Sequence, residues 1–258
     1  MKQHWFVFCR TDLLLVSQPD GTLTIPLSEQ PPVATAPWTK IHQLTMPDGE
    51  VVKTMRVEQQ SVPSELQDVA TWCGLRASYQ KLPRDLYLKA GKCQEILYWD
   101  ENTRYCGVCG APMELHTEIS KRCTHCGKEV WPQLATAVIV LIHKGEEALL
   151  VRGRNFVANF YGLVAGFVET GETLEEAVAR ETLEETGLTI TNIRYFGSQP
   201  WPYPCGLMVG FEADYVSGEI HVQLSELKRA AWFCRDNLPR IPEKLSIARQ
   251  LIDHWLEG

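Results

Sequence analysis

Apolar and polar positions follow two different periodicities along the second half of the chain. Short apolar runs rich in β-branched residues predict strands over residues 136–142, 148–151, 163–168, 188–195, 207–215 and 231–234. Apolar residues that recur every three or four positions predict helices over 173–186 and 243–256. Strands and helices mixed in this way predict an α/β domain whose sheet is covered on both faces.

The first hundred residues show a different pattern. Short apolar runs are separated by turn sequences such as Pro19-Asp20-Gly21 and Pro47-Asp48-Gly49, which predicts a small β-rich region. Three prolines within residues 30–37 predict a loop, and residues 64–92 have a partly helical pattern. We therefore expect three domains: a β-rich N-terminal domain over 1–100, a metal-binding ribbon over 101–133 and an α/β domain over 134–258.

Composition places the chain among ordinary soluble proteins. Its 258 residues are 45% hydrophobic and 22% charged, which is enough apolar material for a sizeable core. The N-terminus is interrupted by Arg10 and Asp12 and lacks the features of a signal peptide. The longest apolar run, around residues 134–142, is too short to span a bilayer. We expect a cytoplasmic protein with no membrane association.

The net charge of −7 argues against a protein that coats nucleic acid through bulk electrostatics. One stretch, residues 64–92, is nevertheless locally basic. It is either a solvated face or an anion-binding surface for phosphate or RNA. Its basic residues are Arg76, Lys81, Arg84, Lys89 and Lys92.

Four of the nine cysteines form two Cys-x-x-Cys pairs, Cys106 with Cys109 and Cys123 with Cys126, separated by thirteen residues. This spacing predicts a closed tetrahedral zinc site that stabilises the fold and performs no chemistry. A redox dithiol pair and cysteines packed as apolar residues are the alternatives. The remaining cysteines are expected to be buried as small apolar side chains; they are Cys9, Cys73, Cys93, Cys205 and Cys234.

The helix predicted over 173–186 carries an unusual set of carboxylates. Thr173 begins it with a capping box and Gly187 suits its end. At helical spacing, Glu181 and Glu185 continue an apolar, core-facing stripe, and Glu184 lies at its edge. Carboxylates on such a stripe repel one another unless cations neutralise them, and oxygen ligands favour Mg²⁺ or Mn²⁺. The alternative is a surface helix rich in ion pairs.

This segment resembles the Nudix box, G-x5-E-x7-R-E-U-x-E-E-x-G-U, where U is a bulky aliphatic residue. The first U position holds Thr182, which we expect to weaken local packing slightly. Every fixed glycine and polar position matches, namely Gly166, Glu172, Arg180, Glu181, Glu184, Glu185 and Gly187. Arg180 is expected to tie Glu172 to the helix.

The resemblance implies a Nudix α/β/α sandwich with a mixed sheet and two or more Mg²⁺ or Mn²⁺ ions per site. These ions would bridge a substrate pyrophosphate while water attacks one phosphorus. Glu185 is the first candidate for positioning or activating that water, with Glu184 and Arg180 beside it. The implied metal ligands are the Ala165 carbonyl, Glu181, Glu185 and Glu226.

Residues 198–206 read Ser-Gln-Pro-Trp-Pro-Tyr-Pro-Cys-Gly, which predicts a stiff extended loop presenting flat rings for stacking on bases. A proline-rich turn with core aromatics is the alternative. The array is similar to SQPWPFPxS of the NADH pyrophosphatase subgroup, whose members also hydrolyse NAD-capped RNA and carry a four-cysteine zinc ribbon. Tyr203 replaces the phenylalanine, and Gly206 replaces the final serine, which we expect to weaken one polar contact to the substrate.

The subgroup implies hydrolysis of NAD(H) to nicotinamide mononucleotide and AMP, removal of NAD caps to leave 5′-monophosphate RNA, and a homodimer. Two alternatives remain: another nucleoside diphosphate derivative such as ADP-ribose, or a non-catalytic zinc-ribbon regulator that senses a nucleotide. The implied substrate contacts are Glu118, Trp131, Phe167, Gln199, Pro200, Trp201, Pro202, Tyr203, Pro204, Cys205, Gly206 and Ala248.

Overall fold

The computed structural model describes residues 1–154, 156 and 160–258. The chain forms two compact units. The first contains residues 1–133 together with 202–205, and the second contains residues 134–201 and 206–258. The expected subdivision of the first unit near residue 100 stays a prediction.

The first unit has ten strands and two α-helices. Its strands are β1 (Gln3–Cys9), β2 (Asp12–Ser17), β3 (Leu23–Thr24), β4 (Leu27–Ser28), β5 (Ile41–Thr45), β6 (Val51–Val57), β7 (Ala70–Gly74), β8 (Met113–Thr117), β9 (Ser120–Cys123) and β10 (Glu129–Val130). Its helices are α1 (Leu75–Ser78) and α2 (Arg84–Asn102), with a short 3₁₀ turn at Ser64–Leu66.

The second unit continues the numbering. Its strands are β11 (Ala135–Lys144), β12 (Glu147–Gly153), β13 (Val164–Phe167), β14 (Thr189–Trp201), β15 (Gly206–Ser217) and β16 (Leu227–Cys234). Its helices are α3 (Leu174–Thr186) and α4 (Ile247–Glu257). Among the helices of the described residues, none is long and apolar enough to cross a membrane.

The N-terminal part of the first unit is built on a seven-stranded sheet, so the predicted β-rich region is confirmed. Its main order is β3-β2-β1-β6-β5, with β4 added to β1 and β7 added to β2. β1 runs parallel to β6, and the other pairs are antiparallel. Trp5, Val7, Leu14 and Met55 form one core cluster of this sheet, and α2 packs on β1 and β6.

Helix α2 is longer than the sequence pattern indicated. The partly helical pattern ended at residue 92, whereas α2 continues to Asn102. The helix is buried around most of its circumference, so no single apolar stripe marks it. Its buried residues are Leu86, Tyr87, Ala90, Gly91, Cys93, Gln94, Ile96, Leu97, Trp99 and Asp100.

A buried lysine joins the three-stranded ribbon β10-β9-β8 to the end of α2. Lys121 on β9 is completely buried; its Nζ lies 2.6 Å from an Asp100 carboxylate oxygen and donates to the Asp100 and Thr103 carbonyls. Burial alone would raise the pKa of Asp100, but the nearby His42 and the ion pair with Lys121 hold that pKa well below its ordinary value. Burial also lowers the pKa of Lys121, although the Asp100 charge opposes that shift.

The second unit is organised around a six-stranded mixed sheet of order β14-β15-β11-β12-β16, with β13 paired to β11. β11 is parallel to β15, and the other pairs are antiparallel. Alternate residues of β11 face opposite cores. Val138 and Val140 pack in the core that contains Val178 of α3, whereas Leu141 packs with Leu251 of α4. The predicted α/β sandwich with a covered mixed sheet is confirmed.

Two sequence expectations need correction in this unit. Helix α4 begins at Ile247, four residues later than predicted, because the Ser246 side chain caps its N-terminus by accepting from the Arg249 amide. Cys234 is exposed, since it is the last residue of β16, where the strand leaves the core. Cys9, Cys73 and Cys93 are buried as expected, and Cys205 is only partly buried.

Substituting Lys121→Met should lower the free energy of unfolding by about 3–5 kcal/mol, because it leaves the buried Asp100 carboxylate without its closest cation. Chemical denaturation measures this value. Lys53→Met is the matched control, since Lys53 donates only to Gln43 at the surface of β6, and it should change stability little. Equal stability of the two variants would contradict the structural role of Lys121.

Candidate active site

Helix α3 has both of the ends that the sequence predicted. Thr173 accepts from the Glu176 amide and the Glu176 carboxylate accepts from the Thr173 amide, which is a complete capping box. Gly187 ends the helix in the left-handed conformation with φ of 73° and donates to the Leu183 carbonyl. These caps fix the helical register and hence the direction of each glutamate.

Glu185 lies on the inner face of α3 and is only 4% exposed. Its Oε2 atom is buried and has no hydrogen-bond partner among the described residues. Burial, followed by the charges of Glu181 and Glu226, raises the pKa of Glu185 to about 8. A buried, unpaired carboxylate oxygen whose pKa is raised by two neighbouring carboxylates suits a divalent cation, so the residues present fit the predicted Mg²⁺ or Mn²⁺.

Gly166 on β13 provides the space for the second carboxylate. A Cβ atom at this position would overlap the Glu181 carboxylate, which lies directly against the Gly166 backbone. Ala165, whose carbonyl is an implied ligand, is the preceding residue of the same strand. The glycine of the motif is therefore required by the close approach of the Glu181 side chain to the strand.

Arg180 connects α3 to the loop that precedes it, as predicted. Its Nε and Nη2 atoms donate to the two carboxylate oxygens of Glu172 at 3.0 and 2.6 Å. Nη1 donates to Glu181 at 2.8 Å and to Glu184 at 3.2 Å, and Nη2 also donates to the Phe167 carbonyl. One guanidinium thus orients a carboxylate of the cluster and holds the loop at the end of β13.

The end of α3 also positions Glu226. The Glu185 and Thr186 carbonyls accept from the Gln223 and His221 amides at 3.0 and 2.8 Å, which fixes the segment leading to Glu226 beside the helix. Only the family resemblance pointed to Glu226. Sequence periodicity contained no signal for it, because its placement depends on backbone hydrogen bonds between distant segments.

Thr182, at the departure from the motif, is completely buried. Its hydroxyl donates to the Val178 carbonyl one turn earlier at 2.7 Å. The polar atom is therefore satisfied within the helix, and the substitution leaves no unpaired donor in the core.

The proline array is not an extended loop throughout, which corrects the sequence interpretation. Residues 198–201 continue β14, where Pro200 is opposite Leu207 and Trp201 is opposite Gly206 of β15. β14 is an edge strand, so a proline without an N–H group is tolerated there. The four-residue tip Pro202–Cys205 belongs to the first unit.

The Gln199 side chain holds the beginning of α4. Its Nε2 donates to the Leu245 carbonyl at 2.8 Å, and its Oε1 accepts from the Ile247 amide at 2.6 Å. Ala248 follows in the first turn and lies on the buried face of α4. Both polar ends of the amide are therefore used within the protein, a role that the sequence did not indicate.

Three other implied substrate contacts have different surroundings. Phe167, at the end of β13, and Trp131, after the ribbon, both present exposed rings. The Glu118 carboxylate accepts from the amide and hydroxyl of Thr45 at 2.9 and 3.0 Å, and Thr45 is the last residue of β5. Their substrate roles stay predictions.

The four ribbon cysteines converge on one point. Their sulfur atoms all lie within 4.8 Å of one another, with Cys106 3.6 Å from Cys126 and Cys109 3.4 Å from Cys123. Tetrahedral zinc with bonds of about 2.3 Å needs sulfur separations of roughly 3.8 Å, so these thiols fit the ion. Backbone hydrogen bonds from Cys126 and His125 lower the pKa of Cys123 to about 6, which favours the thiolate that zinc requires.

The basic residues of the stretch 64–92 fall into two groups, one with partners in the protein and one that is exposed. Lys89 pairs with Asp48 and Glu50, and Lys92 donates to a backbone carbonyl. Arg76, Lys81 and Arg84 are exposed. Lys89 and Lys92 therefore stabilise the fold, and only the exposed group remains a candidate anion-binding surface.

Comparison with known proteins identifies the family. The protein-family model described as NUDIX domain matches residues 131–255. The model described as NADH pyrophosphatase zinc ribbon domain matches residues 101–130, and the model described as NADH pyrophosphatase-like rudimentary NUDIX domain matches residues 2–99. The three matches together span nearly the whole chain.

Relatives from bacteria agree with these matches. A protein named NAD-capped RNA hydrolase NudC from Pseudomonas aeruginosa (strain LESB58) is 42% identical over 209 residues, covering 81% of this chain and 74% of that protein. One of the same name from Pectobacterium atrosepticum is 37% identical and covers 82% of this chain and 87% of that protein. The chain belongs to the NADH pyrophosphatase subgroup of the Nudix hydrolase family and is an enzyme.

A solved structure described as a Nudix hydrolase from Nitrosomonas europaea shows the same fold. It covers 60% of this chain and 90% of that chain, with a TM-score of 0.52 and 21% identity. At this identity the likeness supports the fold alone.

Gly166→Ala should weaken Mn²⁺ binding by about 10- to 100-fold, because the added methyl group displaces the Glu181 carboxylate. Isothermal titration with Mn²⁺ measures the loss. Gly197→Ala on β14 is the control, since a Cβ there meets nothing within 4 Å. Unchanged Mn²⁺ affinity in Gly166→Ala would show that the position of Glu181 against β13 is not needed.

Cys109→Ser should remove most of the bound zinc and destabilise the ribbon, because a closed site tolerates the loss of a thiolate poorly. Elemental analysis and thermal unfolding provide the two measurements. Cys234→Ser removes an exposed cysteine outside the cluster and should retain full zinc content. Wild-type zinc content in Cys109→Ser would contradict the four-thiolate site.

Proposed function

We propose that this chain hydrolyses the pyrophosphate of NAD(H) to nicotinamide mononucleotide and AMP, and removes NAD caps from RNA to leave a 5′-monophosphate end. The observation that carries the proposal is the buried Glu185 oxygen, left without a hydrogen-bond partner among the described residues, within the Glu181, Glu185 and Glu226 cluster. The relatives named NAD-capped RNA hydrolase support the substrate. The two substrates undergo one reaction, since RNA extends the adenosine on its 3′ side.

Glu181, Glu185, Glu226 and the Ala165 carbonyl would hold Mg²⁺ or Mn²⁺. When bound, these ions neutralise the pyrophosphate, polarise its phosphoryl oxygens and lower the pKa of the attacking water. Three parts of the fold would contribute these four ligands: α3 carries Glu181 and Glu185, β13 carries Ala165, and the segment attached to the end of α3 carries Glu226.

Glu185 is also the residue we assign to the attacking water. Its carboxylate is desolvated, and desolvation raises the basicity of a carboxylate. The water would add to one phosphorus, its proton would pass to the carboxylate, and the bond to the bridging oxygen would break. Arg180 contributes by holding Glu181 and the loop that ends with Glu172.

Flat side chains provide candidates for nucleotide stacking. The exposed ring of Phe167 follows directly from the Gly166 backbone that supports Glu181, and Trp201 lies at the end of β14. Aromatic stacking accepts either base without requiring a particular hydrogen-bond pattern. We assign both rings to the substrate and extend the assignment to Trp131 by resemblance.

The oligomeric state and the cellular location are also part of the proposal. We propose a homodimer, as the family resemblance implies, and a cytoplasmic location, as the sequence indicates. The negative net charge fits an enzyme that meets phosphate through metal ions and not through a basic surface.

Glu185→Gln should lower kcat for NADH hydrolysis by about 10²–10⁴-fold, because the amide cannot accept the proton and is a weaker ligand. Product analysis with Mg²⁺ or Mn²⁺ measures it. Glu175→Gln changes an exposed glutamate of the first turn of the same helix and should keep wild-type activity. Undiminished turnover in Glu185→Gln would refute the catalytic assignment.

A substrate panel tests the choice of nucleotide. NADH, NAD-capped RNA, ADP-ribose and a dinucleoside polyphosphate are offered to the wild-type protein under the same conditions. We expect NADH and NAD-capped RNA to be cleaved fastest. A wide preference for ADP-ribose would overturn the proposed substrate, and binding without metal-dependent turnover would indicate a nucleotide sensor.

A further inference from the structure

The tip of the proline array is seated on α2, within the first unit. The Tyr203 hydroxyl lies 2.5 Å from the Tyr87 hydroxyl, and either oxygen can be the donor. One turn further along α2, a Cβ at Gly91 would be 3.1 Å from Cγ of Pro202, so the helix surface is shaped to receive the proline ring. Two successive residues of the tip therefore have matched partners on one helix face.

The surroundings of Tyr87 make this contact well defined. Tyr87 is almost fully buried, and the Tyr79 ring packs edge-on against it with centroids 5.3 Å apart. Burial raises the pKa of both Tyr87 and Tyr203, so both phenols keep their protons at neutral pH. A buried phenol that lost its partner would be left with an unsatisfied polar atom.

We propose that Tyr87 is a positioning residue for nucleotide binding: its hydroxyl holds Tyr203, and α2 of the first unit thereby fixes the tip of the substrate array. The inference rests on the proposed function, because it gives the array its role. The motif that this array resembles has phenylalanine at the Tyr203 position, which cannot form the bond. The phenol pair is thus a property of this chain's own residues.

A positioning role affects substrate binding and leaves the chemical step unchanged. Neither phenol belongs to the carboxylate cluster, so kcat should be unaffected when the bond is removed. Tyr87→Phe and Tyr203→Phe remove the same hydrogen bond while keeping both rings. Their effects on binding should therefore not add in the double variant.

The experiment measures kcat and KM separately for both single variants and the double variant. We expect each to raise KM about fivefold, the worth of one hydrogen bond, with kcat within twofold of wild type. Tyr98→Phe, on the same helix but outside the array contact, is the matched control and should match wild type. All variants are assayed on the panel nucleotide that the wild-type protein hydrolyses fastest. The role of Tyr87 is therefore tested even if NADH is not the preferred substrate.

Three results would overturn the proposal. An unchanged KM in Tyr87→Phe would show that the bond does not position the array. A fall in kcat with constant KM would indicate a merely structural or chemical role, and thermal unfolding of each variant identifies loss of folded protein. Additive effects in the double variant would show that the two hydroxyls act separately.

Discussion

Burial of carboxylates on the inner stripe of α3 is the constraint on which the active site depends. Two glutamates that face the core repel each other and lose hydration, a cost that protonation or an opposing positive charge offsets. The surrounding residues maintain this arrangement: Gly166 leaves space for Glu181, and Arg180 orients it. The free carbonyls at the end of α3 are used to bring Glu226 to the cluster. The fold therefore holds in place the carboxylates that we propose as metal ligands.

Some parts of the site were predictable from the sequence because they depend on local contacts, and others were not. Helix α3 was predictable at both ends because its caps are local: Thr173 with Glu176, and Gly187. The zinc site was predictable because cysteine spacing within two short turns determines the geometry. Glu226 and Gln199 act through backbone groups of segments far away in sequence, and no local pattern records such contacts. Family resemblance supplied Glu226, and only the structure showed what Gln199 holds.

Elsewhere the hydrophobic pattern gave the wrong extent for two elements. One is a helix that is buried on most sides, and the other is an edge strand that tolerates prolines. Helix α2 is buried on most sides and so lacks the stripe that periodicity detects. The prolines of the array predicted a loop, yet an edge strand needs N–H groups on one side only, and β14 extends through them. In both cases tertiary position overrode the local propensity.

The array that suggested the substrate is also largely used to hold the fold. The Gln199 amide supports α4, Pro200 lies in an edge strand, and Pro202 and Tyr203 are seated on α2. Few polar groups of this segment are left to read a base through hydrogen bonds. Under the proposed function, the array would contribute to specificity through the shape of its segment and through stacking on its rings, which would let one site accept a free dinucleotide and the same dinucleotide at the end of an RNA. Internal hydrogen bonds that order such a segment in advance lower the entropy lost on binding, so the proposed positioning residue would affect affinity without touching the nucleotide.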